Sequence, residues 1–357
     1  MASESDCSLT KTTLGKTIGA LILENEFISL TVLPDKGADM YRLIYKPKNI
    51  DVLAKSPTGL KDPRYTITTA SSPENIWLEH YEGGWQLLFP NGGDPCVYKN
   101  SELTFHGEAS LSSWDYEIEE NGPGAVRIKL FTRLFRTPFL LERTVTLHRG
   151  EKKFSLREKI VNYGKEPCDY MWGHHPAFGP PFLSPDCIVQ TDAGSLLVDD
   201  TYAGINNPLE LNSEHGWPNA SVEDGRTVDL SRIPGPEEER AFLYYLKDFK
   251  EGWYAITNSV LEMGVALTWP AELFPFAWYW QDINCTPGFP WYKNYYVTAI
   301  EPNSSIPGQG LARVIEKTGL QGTLGPGEER EAVIICSLFE SRRGVQNVDN
   351  NGNVVIQ

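Results

Sequence analysis

The sequence predicts an all-β protein built as one large antiparallel domain, and three observations carry that prediction. Period-two alternation of apolar and polar residues dominates the readable segments, 31 glycines and 25 prolines punctuate the chain throughout, and helix signatures are scarce. The alternation is clearest between residues 126 and 162. Val126, Ile128, Leu130 and Leu134 share one face, with Arg127, Lys129 and Arg133 opposite. Phe139, Leu141, Val145 and Leu147 repeat the pattern, and Phe154, Leu156 and Ile160 repeat it again. The connections RTP and HRGEKK are too short for the crossover that a parallel pair needs, so these three strands form a meander. Similar runs occur at 20–23, 27–33, 41–45, 264–269, 295–300 and 332–339. Residues 237–249 begin like a helix but have a centre that suits a strand equally well, and 308–317 can make a turn or two of helix. No repeat or composition break divides the chain, so one domain is expected over residues 1–341, followed by a polar, Asn- and Gly-rich tail, 342–357, that lies at the surface or frays.

Composition narrows the function. The 357 residues carry 32 Lys+Arg against 47 Asp+Glu, a formal charge of −15, with no basic block, so nucleic acid and anionic membrane are poor partners. The richness in Phe, Tyr and Trp (15, 16 and 10) demands a packed core and excludes disorder. No apolar stretch is long enough to span a membrane, and the polar, acidic beginning is unlike a signal peptide, so a soluble, cytoplasmic protein is expected. The six cysteines are scattered singly without a CxxC pair, which argues against zinc and against a disulfide framework.

Four segments concentrate chemistry-bearing residues. Gly83–Gly93 (GGWQLLFPNGG) looks too irregular for a strand interior and too apolar for an exposed loop; it reads either as a shaped wall suited to stacking on sugar C–H surfaces, with Gln86 and Asn91 as polar contacts, or as a buried corner. It lacks the spacing of a phosphate-binding loop. His106 is followed by Gly107, a pairing that suits a turn presenting the imidazole, although a lone histidine is more often structural. The WGHHPAFGPP segment holds His174 and His175 in a loop stiffened by proline; if the backbone is extended, the two rings point to opposite faces and at most one enters a given pocket. Glu301 shares a strand face with Tyr295, Val297 and Ala299, where a carboxylate either does chemistry or caps the strand end. Trp280 and Asp282 lie in an aromatic run that mixes Gln and Asp with three aromatics.

Taken in order, ILENEFISLTVLPDKGADMYRLIY, FHGE, LERTVTLHRGEKKFSLREKIVNYGKEPCDYMWGHHPAFG and VTAIEPNSSIP with the later LGPGEERE resemble the galactose mutarotase-like (aldose 1-epimerase) superfamily over about residues 18–340. The resemblance implies a large antiparallel β-sandwich with a carbohydrate cleft on one face, an isomerase activity that interconverts the α and β anomers of a free sugar, and no cofactor or metal. It also implies that His175 is the general acid and Glu301 the general base. His106 becomes a sugar-binding histidine, with Gln86, Asn91, Trp280, Asp282 and the less favoured His174 nearby. The Gly-Gly-x-x-x-x-Phe-Pro pattern is similar to the hexose-6-phosphate epimerase branch, yet no phosphate-binding arginine pair is evident, and GGWQLLFPNGG stands where galactose-specific members have a Gly-Arg segment. A catalytically silent carbohydrate-binding sandwich is the alternative from another class. An anionic sugar needs a cation at the cleft, which Arg64, Arg133 or Arg157 supplies only if the fold brings it there. The enzymatic reading expects His175 and Glu301 on opposite sides of an aromatic hollow with room for a hexose between them.

Overall fold

The alternating strands of the central meander pair as their spacing requires. In a computed structural model, which describes residues 6–222 and 225–357, strands Ala125–Arg133, Phe139–His148 and Lys153–Asn162 run antiparallel in continuous register. They belong to an eight-stranded sheet completed by Asp115–Asn121 on one side and by Glu329–Phe339, Met263–Thr268, Trp253–Asn258 and Cys187–Thr191 on the other. Their apolar faces, Val126, Ile128 and Leu130 with Leu141, Val145, Leu156 and Ile160, are wholly buried.

A second, twelve-stranded antiparallel sheet covers that face, and one continuous hydrophobic core joins the two. Its centre consists of Trp85–Leu88, Gly173–Phe178, Tyr296–Asn303, Phe276–Ile283 and Ala241–Lys247, in that order. Contacts such as Trp85 on Phe154 (ring centroids 6.3 Å) and Phe178 on Tyr254 (6.2 Å) cross between the sheets. The other face of these central strands is also covered. Helix Pro73–Glu79 and residues 286–295 pack a smaller apolar cluster there, containing Trp77, Tyr81, Trp291, Tyr295, Val297 and Ala299.

That double coverage explains two differences from the sequence reading. GGWQLLFPNGG contains the strand Trp85–Leu88, and WGHHPAFGPP contains the strand Gly173–Phe178; every residue of both is buried, so neither shows the polar alternation by which a half-buried strand is recognised. Residues 237–249 resolve as a single 3₁₀ turn followed by strand Ala241–Lys247, because the AFLYYL stretch is worth more buried on both faces than it is as an amphipathic helix. The helix Gly310–Lys317 forms as expected. The polar residues after Arg342 do not fray. They make a hairpin, Val345–Val348 with Val354–Ile356, whose Val345 and Val348 are buried beside Trp253 and Phe339. No helix among the described residues is long and apolar enough to cross a membrane.

Candidate active site

Strand register brings the two predicted proton-handling residues together. Gly173 pairs with Asn303 and Ala177 with Ala299, so His175 stands directly opposite Glu301 on neighbouring strands. Glu301 in turn pairs with Trp278 on its other side. His175 Nε2 lies 3.6 Å from Glu301 Oε1. This corrects the expectation of a hexose-wide gap.

The pair opens onto a cavity of about 390 Å³. Trp77 stacks on Tyr81 (centroids 4.9 Å, 22° between planes), and Tyr81, Trp280 and His106 each bring a ring to within 5.4–5.8 Å of the His175 ring. Trp291 and Asp282 complete this side of the wall. Asp282 Oδ1 accepts from the backbone N–H groups of Cys285 (2.9 Å) and Thr286 (3.3 Å), which secures the loop that carries Trp291. The facing wall is organised by Asp199, which accepts from Gln309 Nε2 (2.8 Å), the Tyr245 hydroxyl and the backbone N–H groups of Thr201 and Tyr202.

His106 is placed by its turn. Its own φ is +57° and Gly107 follows at +78°, where a Cβ would sit 2.3 Å from the Phe89 carbonyl oxygen, so glycine is required. The Gly93 N–H donates to His106 Nδ1 at 3.0 Å, which leaves the neutral ring's proton on Nε2. A side chain at Gly93 is likewise excluded, because its Cβ would lie 1.7 Å from the Gly308 carbonyl oxygen.

Burial sets the protonation of the pair. It pushes the Glu301 carboxyl well above the usual carboxylate range and the His175 imidazole down to about 4. Burial, with His175 adding to it, also drives His106 well below its ordinary value. Burial thus disfavours the charged form of both groups, so the arrangement with neutral His175 and protonated Glu301 is favoured over the ion pair.

Five of the eight predicted site residues, His106, His175, Trp280, Asp282 and Glu301, line the cavity; Gln86, Asn91 and His174 do not. Alternation sends His174 to the opposite face, into the core between the sheets. There Trp85 Nε1 donates to its Nδ1 (3.2 Å), and its Nε2 faces Glu158 at 3.2 Å. Glu158 also accepts from Arg143 Nε (2.6 Å) and Trp172 Nε1 (3.1 Å). Burial opposes ionisation of Glu158, but Arg143 and His174 outweigh it and hold its carboxyl at about 2. Asn91 is a loop tie: its amide donates to the carbonyls of Asp94 and Thr104 and accepts from the Leu311 N–H. Gln86 turns away from the cavity toward Glu82 and the Gly83 carbonyl.

Trp77, Tyr81, Thr201, Tyr202 and Gln309 are cavity residues that the sequence reading did not include. For the first two a signal exists. Ser72-Pro73-Glu74 is a helix start, with Ser72 Oγ accepting from the Asn75 N–H (3.2 Å), and it precedes Trp77 by one turn. Nothing local marks the others. The arginines considered for an anionic sugar lie elsewhere: Arg64 pairs with Asp35, Arg157 with Glu331, and Arg133 covers the Tyr163 ring. Among the described residues, the cavity wall contains four acids, Glu74, Asp94, Asp282 and Glu301, and no Lys or Arg. Among the described residues no group of three or more His, Cys, Asp or Glu is arranged to hold a metal ion.

A putatively named aldose 1-epimerase from Klebsiella pneumoniae has the same fold at a TM-score of 0.71 and 18% identity, over 93% of this chain and 82% of that one. A galactose mutarotase-like protein from Clostridium acetobutylicum gives 0.62 at 15% identity, over 94% and 99% of the two chains. A galactose mutarotase related enzyme from Lactobacillus acidophilus gives 0.60 at 15%, over 90% and 98%. No curated protein matches the sequence. At these identities the shared property is the architecture, which is the galactose mutarotase-like β-sandwich. The family model described as "Domain of unknown function (DUF4432)" matches residues 15–337, nearly the whole sandwich, and the chain belongs to that family.

Proposed function

We propose that this protein is an aldose 1-epimerase-like isomerase that interconverts the anomers of a free, uncharged sugar. The observation that carries the reading is the His175–Glu301 pair, 3.6 Å apart, buried, and facing an aromatic-walled cavity. Ring opening removes one proton from the anomeric hydroxyl and delivers one to the ring oxygen as the bond from the anomeric carbon to that oxygen breaks. The aldehyde then rotates and closes on its other face by the reverse transfers. One proton shared by two groups is what this cycle consumes and returns. With the proton on His175, Glu301 is the carboxylate base and His175 the imidazolium acid; His106, its Nε2–H free to donate, suits a sugar hydroxyl.

Two expectations follow from the electrostatics. The pair is singly protonated from the His175 value of about 4 up to the raised value of Glu301, so exchange should fall on the acid side near pH 4 as His175 gains a second proton for the pair, and fall on the alkaline side as Glu301 loses the last one. A pH–kcat profile with an acid limb near 6.5, the value of an unperturbed histidine, would contradict this. Because the wall holds acids and no Lys or Arg among the described residues, neutral aldoses should be turned over while hexose 6-phosphates and uronates are not, a difference that a polarimetric or saturation-transfer panel reads directly. Sugar binding without faster anomer exchange for any aldose would replace the enzyme with a carbohydrate-binding module.

A further inference from the structure

Gln86 is the cross-strand partner of His175, so the two side chains leave the sheet on the same face with their Cβ atoms about 5 Å apart. Gln86 is wholly buried beside the cavity without lining it. Its amide has only one consistent orientation. Nε2 donates to the Gly83 carbonyl (2.5 Å) and to Glu82 Oε1 (3.2 Å), both acceptors, which directs Oε1 the other way. That oxygen is buried and has no hydrogen-bond partner in the structure. On His175, Nε2 faces Glu301 and Nδ1 is likewise buried without a partner. An unused acceptor and an unused ring nitrogen thus sit on directly opposed residues, in a buried site where leaving either unsatisfied is costly.

We infer that Gln86 is a positioning residue for His175, its Oε1 accepting from Nδ1–H when the ring is doubly protonated, so that the imidazolium is held with Nε2 toward Glu301 and the sugar ring oxygen. This rests on the acid role proposed for His175. Gln86 is itself held by a buried ionic chain. Lys36 Nζ lies 2.8 Å from Glu82 Oε2 and 2.8 Å from Asp39 Oδ2, and all three side chains are almost fully buried. Burial opposes the charge on Lys36, but Asp39 and Glu82 outweigh it and raise its pKa. The other titratable groups facing His175 are Glu301, His106 and Tyr81, so the amide is the neutral acceptor in an otherwise acid–base environment.

The test combines activity with an NMR titration of the His175 ring in wild type, Gln86→Leu and Gln86→Glu. Gln86→Leu should lower kcat for anomer exchange about tenfold with KM within about threefold, and move the His175 titration down by roughly one pH unit as its Nδ1–H loses the acceptor. Gln86→Glu, similar in shape and able to accept, should move the titration up and recover part of kcat. A His175 titration identical in all three proteins, or a change confined to KM, overturns the inference. If wild type itself exchanges no sugar, the isomerase reading fails while the titration still decides whether Gln86 bonds His175. Should Gln86→Leu not fold, the upward shift in Gln86→Glu remains the deciding measurement, and its absence refutes the contact.

Discussion

Glu301→Gln is expected to lower kcat for anomer exchange by about 10²–10⁴-fold, the usual weight of one general acid–base group, while sugar binding changes far less. The substitution keeps the shape of a side chain that is only 2% exposed and packed on the face shared with Ala299 and Val297, so the fold should survive. What it removes is the ability to take a proton from the anomeric hydroxyl. His175→Asn should fall by a similar factor, and the double variant should be little worse than either single one, because the two residues act as a unit on one proton. Saturation-transfer rates for wild type and the three variants decide the matter: wild-type exchange in Glu301→Gln would end the assignment of this pair.

Arg143→Met is expected to cost about 3–5 kcal/mol of stability, the typical loss when one partner of a buried ion pair is removed. Arg143 and Glu158 are 0% and 3% exposed, and the guanidinium Nη1 also donates to the Ala38 carbonyl at 2.9 Å. Without Arg143, the Glu158 carboxylate is left in the inter-sheet core with only His174 and Trp172 to answer it. Adding Glu158→Gln should recover much of the loss, since no buried charge then lacks its partner. The pH dependence provides a second check. The folded value of Glu158, about 2, lies below the unfolded glutamate value of roughly 4.3, so its stabilisation is complete above about pH 4.3 and is lost as pH falls toward 2. Arg143→Met should show a weaker acid dependence over that window. An unfolding free energy within about 1 kcal/mol of wild type would show that the ion pair matters little to the sandwich.

The same local sequence, His174-His175, serves both predictions, and its two residues were separable only in part before the fold was known. The rule that neighbours on an extended strand face opposite ways is local, and it states that one histidine enters a pocket while the other does not. Which ring enters was indicated by the family resemblance. What His174 does is a tertiary matter, because its partners Glu158 and Trp85 come from separate strands. Gln86 and Asn91 show the limit from the other side. Polar residues among glycines and aromatics suggested a sugar contact, but the amide nitrogens of both donate within the scaffold, an outcome that depends on backbone groups far along the chain or folded back locally.

What the sequence by itself determined is everything that depends on neighbours a few residues away: the strands of the meander, the antiparallel sense imposed by short connections, the turn that presents His106, and the alternation that gives Glu301 an apolar face. Only the tertiary structure decided the distance between His175 and Glu301, the closing of the cavity by a helix that carries Trp77, and the exclusion of every arginine from its wall. The physical reason is that proton affinity and charge selectivity are set by burial and by through-space partners. Both are created when strands remote in sequence come into register, and neither leaves a periodic mark on the chain.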